Sequence, residues 1–340
     1  GLRVGPHSAG AAPGPACYGR GGTEPTVTDA SLVLGYVDPA YFAGGSLALD
    51  PGLAREAIET RLAGPMGLSA EEAALGIHRI ANARMVDGIR LVSLNRGHDP
   101  RDFTLVALGG AGALHAVALA AELGIRRVLV PRAPGVLSAA GLLSATIEHE
   151  VTGPWHGALA DAAPVAIEEA LDALDDKAAA LMAREHAEDL VVERLAFADV
   201  AYAGQSHHLE VPYHRGDPAA PERAYRDFEA VHARINGHAT GAPAKIVNLR
   251  VVHRAALGDP VAPPAPGEGA SLKGTRPAWF EAAGPARAEV HARDRIPPGA
   301  VIAGPAILEQ SDATTLVPPG WAATALEHGA LLIARGEDSP

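Results

Sequence analysis

Residues 102–130 read DFTLVALGGAGALHAVALAAELGIRRVLV, and this stretch decides the fold class. Asp102–Leu108 ends in an apolar run suited to a buried strand, and Gly109-Gly110-Ala111-Gly112 follows at once. Ala113–Leu123 then has the composition of a helix, with Gly124 placed to close it as a left-handed C′ residue. Arg127–Val130 is a second short apolar strand. Strand, glycine turn, helix, strand is a βαβ unit, and parallel strands need such a crossover. The chain is therefore expected to be α/β.

Working outward from that unit, GGAG lies at the C-terminal end of a strand, where open α/β sheets bind ligands. Glycine lets backbone approach a ligand closely, and a helix N-terminus offers free N–H groups. The motif is neither GxGxxG nor a Walker A loop, since no Lys follows. A tight strand-to-helix turn explains the glycines equally well. His115, in the first turns of the helix, either faces the cleft as an acid or base or is a satisfied, partly buried histidine. Asp29, in Pro25-Thr26-Val27-Thr28-Asp29-Ala30, either orients a metal-bound nucleotide or polarises water, or caps the next helix. Cys17 is the only cysteine and has no neighbouring base assignable from sequence, so it reads as a small packed residue rather than a nucleophile.

Toward the N-terminus, residues 1–50 are rich in Gly and Pro. A short helix is expected over 51–63. Ser69 and Glu72 form a capping box before a long helix that ends near Gly97. Toward the C-terminus, residues 164–190 read as an acidic helix. Ile167, Leu171, Leu174, Ala178, Leu181 and Met182 line one side, and Glu168, Glu169, Asp172, Asp175 and Asp176 form a solvated face. Strands are expected at 192–202, 207–211 and 245–253, with a helix at 222–235. Residues 257–276 read as a linker or loop, and several short strands should fill 286–335.

The chain has 340 residues, so more than one core is expected. Its net charge of −12 argues against a nucleic-acid binder, which needs a basic face. One cysteine excludes an internal disulfide and a cysteine-based zinc site. No HExxH appears, and adjacent His207 and His208 would point to opposite faces of a strand, so no metal site is assigned. No apolar run suits a membrane span, no signal-peptide pattern is present, and a cytoplasmic setting is expected. The chain opens at Gly1 within a glycine-rich turn, so further sequence ahead of it is expected.

Four stretches together resemble the hydantoinase A / 5-oxoprolinase family, which includes N-methylhydantoinase A-type subunits and acetone and acetophenone carboxylase subunits. They are GPHSAGAAPGPACYGRGGTEPTVTDASLVLGYVDP (5–39), RGHDPRDFTLVALGGAGALHAVALAAELGI (96–125), VLVPRAPGVLSAAGLL (128–143) and IAGPAILEQSDATTLVPPGW (302–321). The resemblance implies an actin/hexokinase-like (ribonuclease H-like) nucleotide-binding fold, incomplete here, whose phosphate loops lie in a missing N-terminal ATP-binding region. It implies ATP with Mg²⁺ as cofactors, a hydantoinase B-type partner subunit, and a small cyclic amide substrate such as a hydantoin, N-methylhydantoin or 5-oxoproline, opened after carbonyl phosphorylation. The carboxylase branch would act on a ketone instead, and a non-catalytic assembly module is the third reading. By the same resemblance Gly109, Gly110 and Gly112 match the adenosine-side loop of such folds; Ser8 and Gly10 are also assigned to the nucleotide, and Asp29 and His115, from the residue reading above, are the candidates for catalysis. The expected division is 1–150 for the ATP-binding part, 151–256 for an α+β domain, 257–284 for a linker or loop, and 285–340 for a β-rich unit.

Overall fold

A computed structural model describes residues 2–94, 97–143, 145–185, 190–256, 267 and 269–335. In chain order the helices are α1 (Val27–Val33), α2 (Pro51–Ile58), the single turn α3 (Gly64–Met66), α4 (Ala70–Ser93), α5 (Gly112–Leu123), α6 (Leu137–Leu143), α7 (Pro164–Arg184) and α8 (Ala220–Asn236). The strands are β1 (Leu105–Val106), β2 (Arg127–Val130), β3 (Thr146–Ala158), β4 (Val192–Tyr202), β5 (Leu209–Pro212), β6 (Ala244–Ala256), β7 (Leu272–Glu281), β8 (Gly284–Ala292), β9 (Val301–Ala303), β10 (Ala306–Glu309), β11 (Thr314–Val317), β12 (Trp321–Ala325) and β13 (Leu331–Arg335). They form two spatial units, one of residues 1–140 with 262–340 and one of residues 141–261.

In the first unit a five-stranded sheet runs in the order β1-β2-β13-β12-β9. β1 and β2 are parallel, with Leu105 opposite Val128, and α5 is the crossover between them. The βαβ unit is therefore present, although its first strand is only two residues long. Gly124 closes α5 in the left-handed region at φ 71°. α5 carries alanines around much of its surface, and Ala113, Ala116, Val117, Leu119, Ala120 and Leu123 are all buried. They pack with Val128, Val130, Ala323, Leu331 and Ile333 in one core. A second sheet, β11-β10-β8-β7, is covered by α1, α2 and α4 through a core that includes Leu34, Ile58, Ala74, Ala278, Ala288 and Ile307. The Ser69–Glu72 capping box opens α4 as expected, with both reciprocal bonds made.

The sequence reading of a free-standing β-rich unit over 285–340 gives way here. β12 and β13 extend the sheet that β1 and β2 begin, with Leu331 opposite Val130, so the C-terminal strands complete the βαβ unit rather than standing apart. Part of the linker expected over 257–284 is strand instead. Residues 272–281 are strand β7, paired antiparallel with β8. Positions 257–266 and 268 lie outside the described residues.

The second unit is an antiparallel sheet, β3-β6-β4-β5, packed by α7 and α8. The apolar stripe of α7 is buried through Ile167, Leu171, Leu174, Ala178 and Met182, as its spacing predicts. One member of the expected solvated face departs from that reading. Asp175 is buried, its Oδ1 lies 2.7 Å from His253 Nε2, and Arg215 pairs with its other oxygen. A buried carboxylate needs such partners, and here the sheet and the loop before α8 supply them. Among the described residues no helix is long and apolar enough to cross a membrane.

Candidate functional site

A cavity of about 310 Å³ in the first unit is lined by α1, the segment 37–43, the Gly110–His115 turn and the hairpin loop between β10 and β11. That loop, Gln310-Ser311-Asp312-Ala313, closes on itself through Gln310 N–H donating to the Ala313 carbonyl at 3.0 Å. It is tied to the loop after β2. Asp312 Oδ2 accepts from Gly135 N–H at 2.9 Å, and Gln310 Nε2 donates to the Arg132 carbonyl at 3.1 Å and to Asp312 Oδ1. Beneath them Arg293, 6 % exposed, donates to the Val130 and Pro131 carbonyls and to Gln310 Oε1. Burial lowers the Arg293 guanidinium to about 10, and Asp312 pulls the other way.

Of Gly109, Gly110, Gly112 and Gly135 only Gly110 lines the cavity, and each has its own reason to be glycine. A Cβ on Gly135 would sit 2.4 Å from the Asp312 carbonyl, so that contact admits only glycine. Gly109 has φ 82° and would meet nothing within 4 Å, so conformation rather than space selects it. A Cβ on Gly110 would lie 3.2 Å from the Asp312 carbonyl, while one on Gly112 would meet only Ala107 at 3.8 Å. The residue ahead of α5, Ala111, offers no side-chain cap, so the helix presents its first amide N–H groups without one.

His115 lines the same cavity. Its Nδ1 lies 2.7 Å from Asn82 Oδ1, and its ring stacks on that of His78 at 4.9 Å between centroids and 23° between planes. His78 Nε2 lies 3.0 Å from Ser31 Oγ. Because the Ser31 hydroxyl also bonds the Val27 carbonyl at 2.9 Å, its single proton goes there, and His78 donates to it. Burial lowers both histidines, and His115 adds a smaller like-charge effect that helps bring His78 to about 3.

This pair has a consequence for stability. Above the ordinary histidine value of 6.5 both folded and unfolded states carry neutral rings, and the pair contributes no pH dependence. Below 6.5 the unfolded chain takes up protons that the folded one refuses, so stability falls with pH, by up to about 1.4 kcal/mol per unit for each histidine. Melting curves from pH 7.5 to about 5 should show this slope. His78→Phe should reduce it, leaving the His115 contribution, and an unchanged slope would assign it to other groups.

Ser8 and Gly10 are not brought to this cavity. They line a second one of about 730 Å³ in the N-terminal segment, which shares only Val27 and Thr28 with the first. Gly10 N–H donates to Ser8 Oγ at 3.2 Å in an exposed turn. The structure places Asp29, the other residue expected in catalysis, in a capping position. It is 0 % exposed and lines neither cavity. Its carboxylate accepts from Ala16 N–H at 3.2 Å, Cys17 N–H at 2.8 Å, Thr26 N–H at 2.8 Å and Thr26 Oγ1 at 2.7 Å. The residue closes a capping box at the start of α1 and pins the 15–17 turn to it.

Cys17 is fully buried, and that burial, with a smaller contribution from Asp29, pushes its thiol well above the ordinary cysteine value. Cys17→Ser should leave any turnover in which this chain takes part within about threefold, because a thiol this protonated is no nucleophile. Steady-state rates check this, and a loss of several orders of magnitude in a folded variant would contradict it.

Sequence reasoning missed Ser31, His78, Asn82, Gln310 and Asp312. Gln310 and Asp312 stood in a quoted stretch without a role. His78 and Asn82 carried a local signal, since positions i and i+4 share a helix face. Among the described residues no group of three or more His, Cys, Asp or Glu side chains is placed to hold a metal ion. The cavity's Glu309 is paired with Lys273 and Arg276, and Asp312 is bonded through both oxygens. These residues therefore do not fit a Mg²⁺ site by themselves.

Residues 1–151 match the family model described as hydantoinase/oxoprolinase, and residues 158–335 match the hydantoinase/oxoprolinase C-terminal domain. The chain is 37 % identical over 332 residues to caprolactamase subunit alpha of Pseudomonas jessenii, covering 94 % of this chain and 48 % of that one. The crystal structure of the ATP-dependent caprolactamase of the same organism matches with a TM-score of 0.76 and 35 % identity, over 99 % of this chain and 50 % of that chain. The nucleotide-free structure of acetone carboxylase matches with a TM-score of 0.84 and 23 % identity, over 98 % and 50 %, and so shares the fold. The fold is thus that of an α/β half of such large enzyme polypeptides. The chain belongs to the hydantoinase/oxoprolinase family. It spans about half the length of the curated relatives it matches.

Proposed function

We propose that this chain is part of an ATP-dependent amidohydrolase that opens a small cyclic amide, and that its first unit carries one wall of an actin/hexokinase-like nucleotide site. The observation that carries this reading is the 310 Å³ cavity, in which the uncapped N-terminus of α5 and the buried His115 face one space. The 37 % identity to a lactam-acting subunit favours an amide over a ketone. ATP supplies the phosphoryl group that makes an amide carbonyl oxygen a leaving group. In this reading Gly109, Gly110 and Gly112 let an anionic or polar ligand group approach the α5 amides. His115, held neutral by burial, takes a proton from the attacking water through the nitrogen not bonded to Asn82. Water adds to the activated carbon, the ring C–N bond breaks as its nitrogen takes up a proton, and a second water frees phosphate from the acyl phosphate that is left, so the products are the ring-opened acid, ADP and phosphate. The relatives' remaining length and a hydantoinase B-type subunit complete the assembly, in a cytoplasmic setting.

Gly110→Val tests the wall. No left-handed φ bars a side chain at this position, but its Cβ would press on the Asp312 carbonyl at 3.2 Å and its methyl groups would enter the cavity. The variant should melt within about 5 °C of the parent and lose nucleotide binding at least tenfold, as read by calorimetry with ATP. Normal binding would leave the glycine a role only in the turn.

The overall reading is tested with the assembled enzyme, by assaying ring-opened acid and phosphate with caprolactam, hydantoin, N-methylhydantoin and 5-oxoproline, with and without ATP. ATP-dependent incorporation of labelled bicarbonate into acetone or acetophenone, without amide opening, would replace it with the carboxylase reading. Full activity in an assembly whose copy of this chain binds no nucleotide would make this chain an assembly module.

A further inference from the structure

We propose that Asn82 and His78 are positioning residues that present Nε2 of His115 to the cavity as an unprotonated nitrogen; the inference rests on the hydrolase reading above. Four contacts, two to His115 and two to His78, converge on this. Asn82 Oδ1, 2.7 Å from Nδ1, can only accept, so Nδ1 carries the ring proton. Nε2 then holds the lone pair, and among the described residues it has no hydrogen-bond partner. The His78 ring, stacked at 4.9 Å, blocks rotation of the imidazole. Its own orientation is set by Ser31 at 3.0 Å and by the edge of Tyr36, whose ring centroid lies 5.3 Å away.

The stack also limits charge, because two imidazolium rings in van der Waals contact repel, so the pair takes up protons one at a time. Asn82, four residues after His78 on α4, is neutral, and Tyr36 is held protonated by its burial. The carboxylates lining the cavity are Asp38, Glu309 and Asp312. Glu309 is neutralised by Lys273 and Arg276, Asp38 lies 3.6 Å from Arg276, and Asp312 is bonded to Gly135 and Gln310. Among the described residues no acid therefore bonds the ring, and Asn82 on α4 is the group there that selects its tautomer.

The test uses Asn82→Asp, which keeps an acceptor at the same place and adds a charge. Nitrogen-15 NMR of the full chain should show His115, assigned through His115→Gln, as the Nδ1–H form at pH 7. In Asn82→Asp its titration midpoint should rise by about one unit or more, since an adjacent carboxylate favours the imidazolium. The acid limb of the assembled enzyme's kcat profile should move up by the same amount, with the rate at high pH kept. Asn82→Ala should lower kcat about tenfold or more with KM little changed. An Nε2–H tautomer, or a midpoint that does not move, would overturn the proposal. So would a moved midpoint with an unmoved rate profile. Absence of ATP-dependent ring opening in the parent would instead refute the hydrolase reading and leave the NMR result standing.

Discussion

Replacing His115 by Gln is expected, on the hydrolase proposed above, to lower kcat for ATP-dependent ring opening by about 10²–10⁴-fold, the range a positioned general base contributes. The side chain is 7 % exposed, yet it lines the cavity. Burial holds the ring in its basic form at neutral pH. Gln fills similar volume and keeps a polar end, so packing against His78 and Asn82 of α4 should survive. It offers no imidazole lone pair, so the proton from water has nowhere to go. KM for the amide should change by no more than about threefold, because the lost interaction is made in the transition state. Steady-state rates beside a melting curve check this. Activity within about threefold of the parent, in a folded variant, would return His115 to the role of a packed histidine.

How much of this was readable follows the distance along the chain over which each feature is decided. α5 and its glycine closure are local, and the strand-turn-helix pattern at 102–130 predicts them. The neighbours of β2 are not local. Its parallel partner β1 lies about twenty residues back, but its other partner is β13, which begins at Leu331. Nothing in RVLV specifies that pairing, so the C-terminal strands read as a unit of their own. β3 was missed because Glu148, His149, Glu150, Gly153 and Pro154 give it no apolar alternation. One face is exposed and the other only half-buried, and pairing with β6 holds it. The site shows the same division. GGAG and His115 stood out within one segment. The stack with His78 requires α4 to pack on α5, a contact across 37 positions that helix periodicity cannot supply. Asp29 is the opposite case. Its capping signal, Thr26 three residues ahead, was present in the sequence and competed with a chemical reading that only burial could decide.

That decision gives the largest expected effect on stability. Asp29→Ala should destabilise the chain by about 3–5 kcal/mol, because it strands several buried donors at once. The Ala16 and Cys17 N–H groups lose their acceptor in a turn where both residues are at most 2 % exposed. Thr26 N–H loses its half of the capping box, while the reverse bond from Asp29 N–H to Thr26 Oγ1 at 3.2 Å survives. Part of the cost is recovered wherever water reaches the half-buried Thr26. Asp29→Asn should fall between, since one amide oxygen still accepts and the new NH₂ faces N–H donors. Denaturant unfolding of the parent and both variants measures the series. The two variants also separate structure from chemistry. If Asp29 only pins the turn, the fraction of Asp29→Asn that is folded should turn over at the parent rate. An Asp29→Asn chain with parental stability and no ring opening would show that the carboxylate acts on the reaction after all.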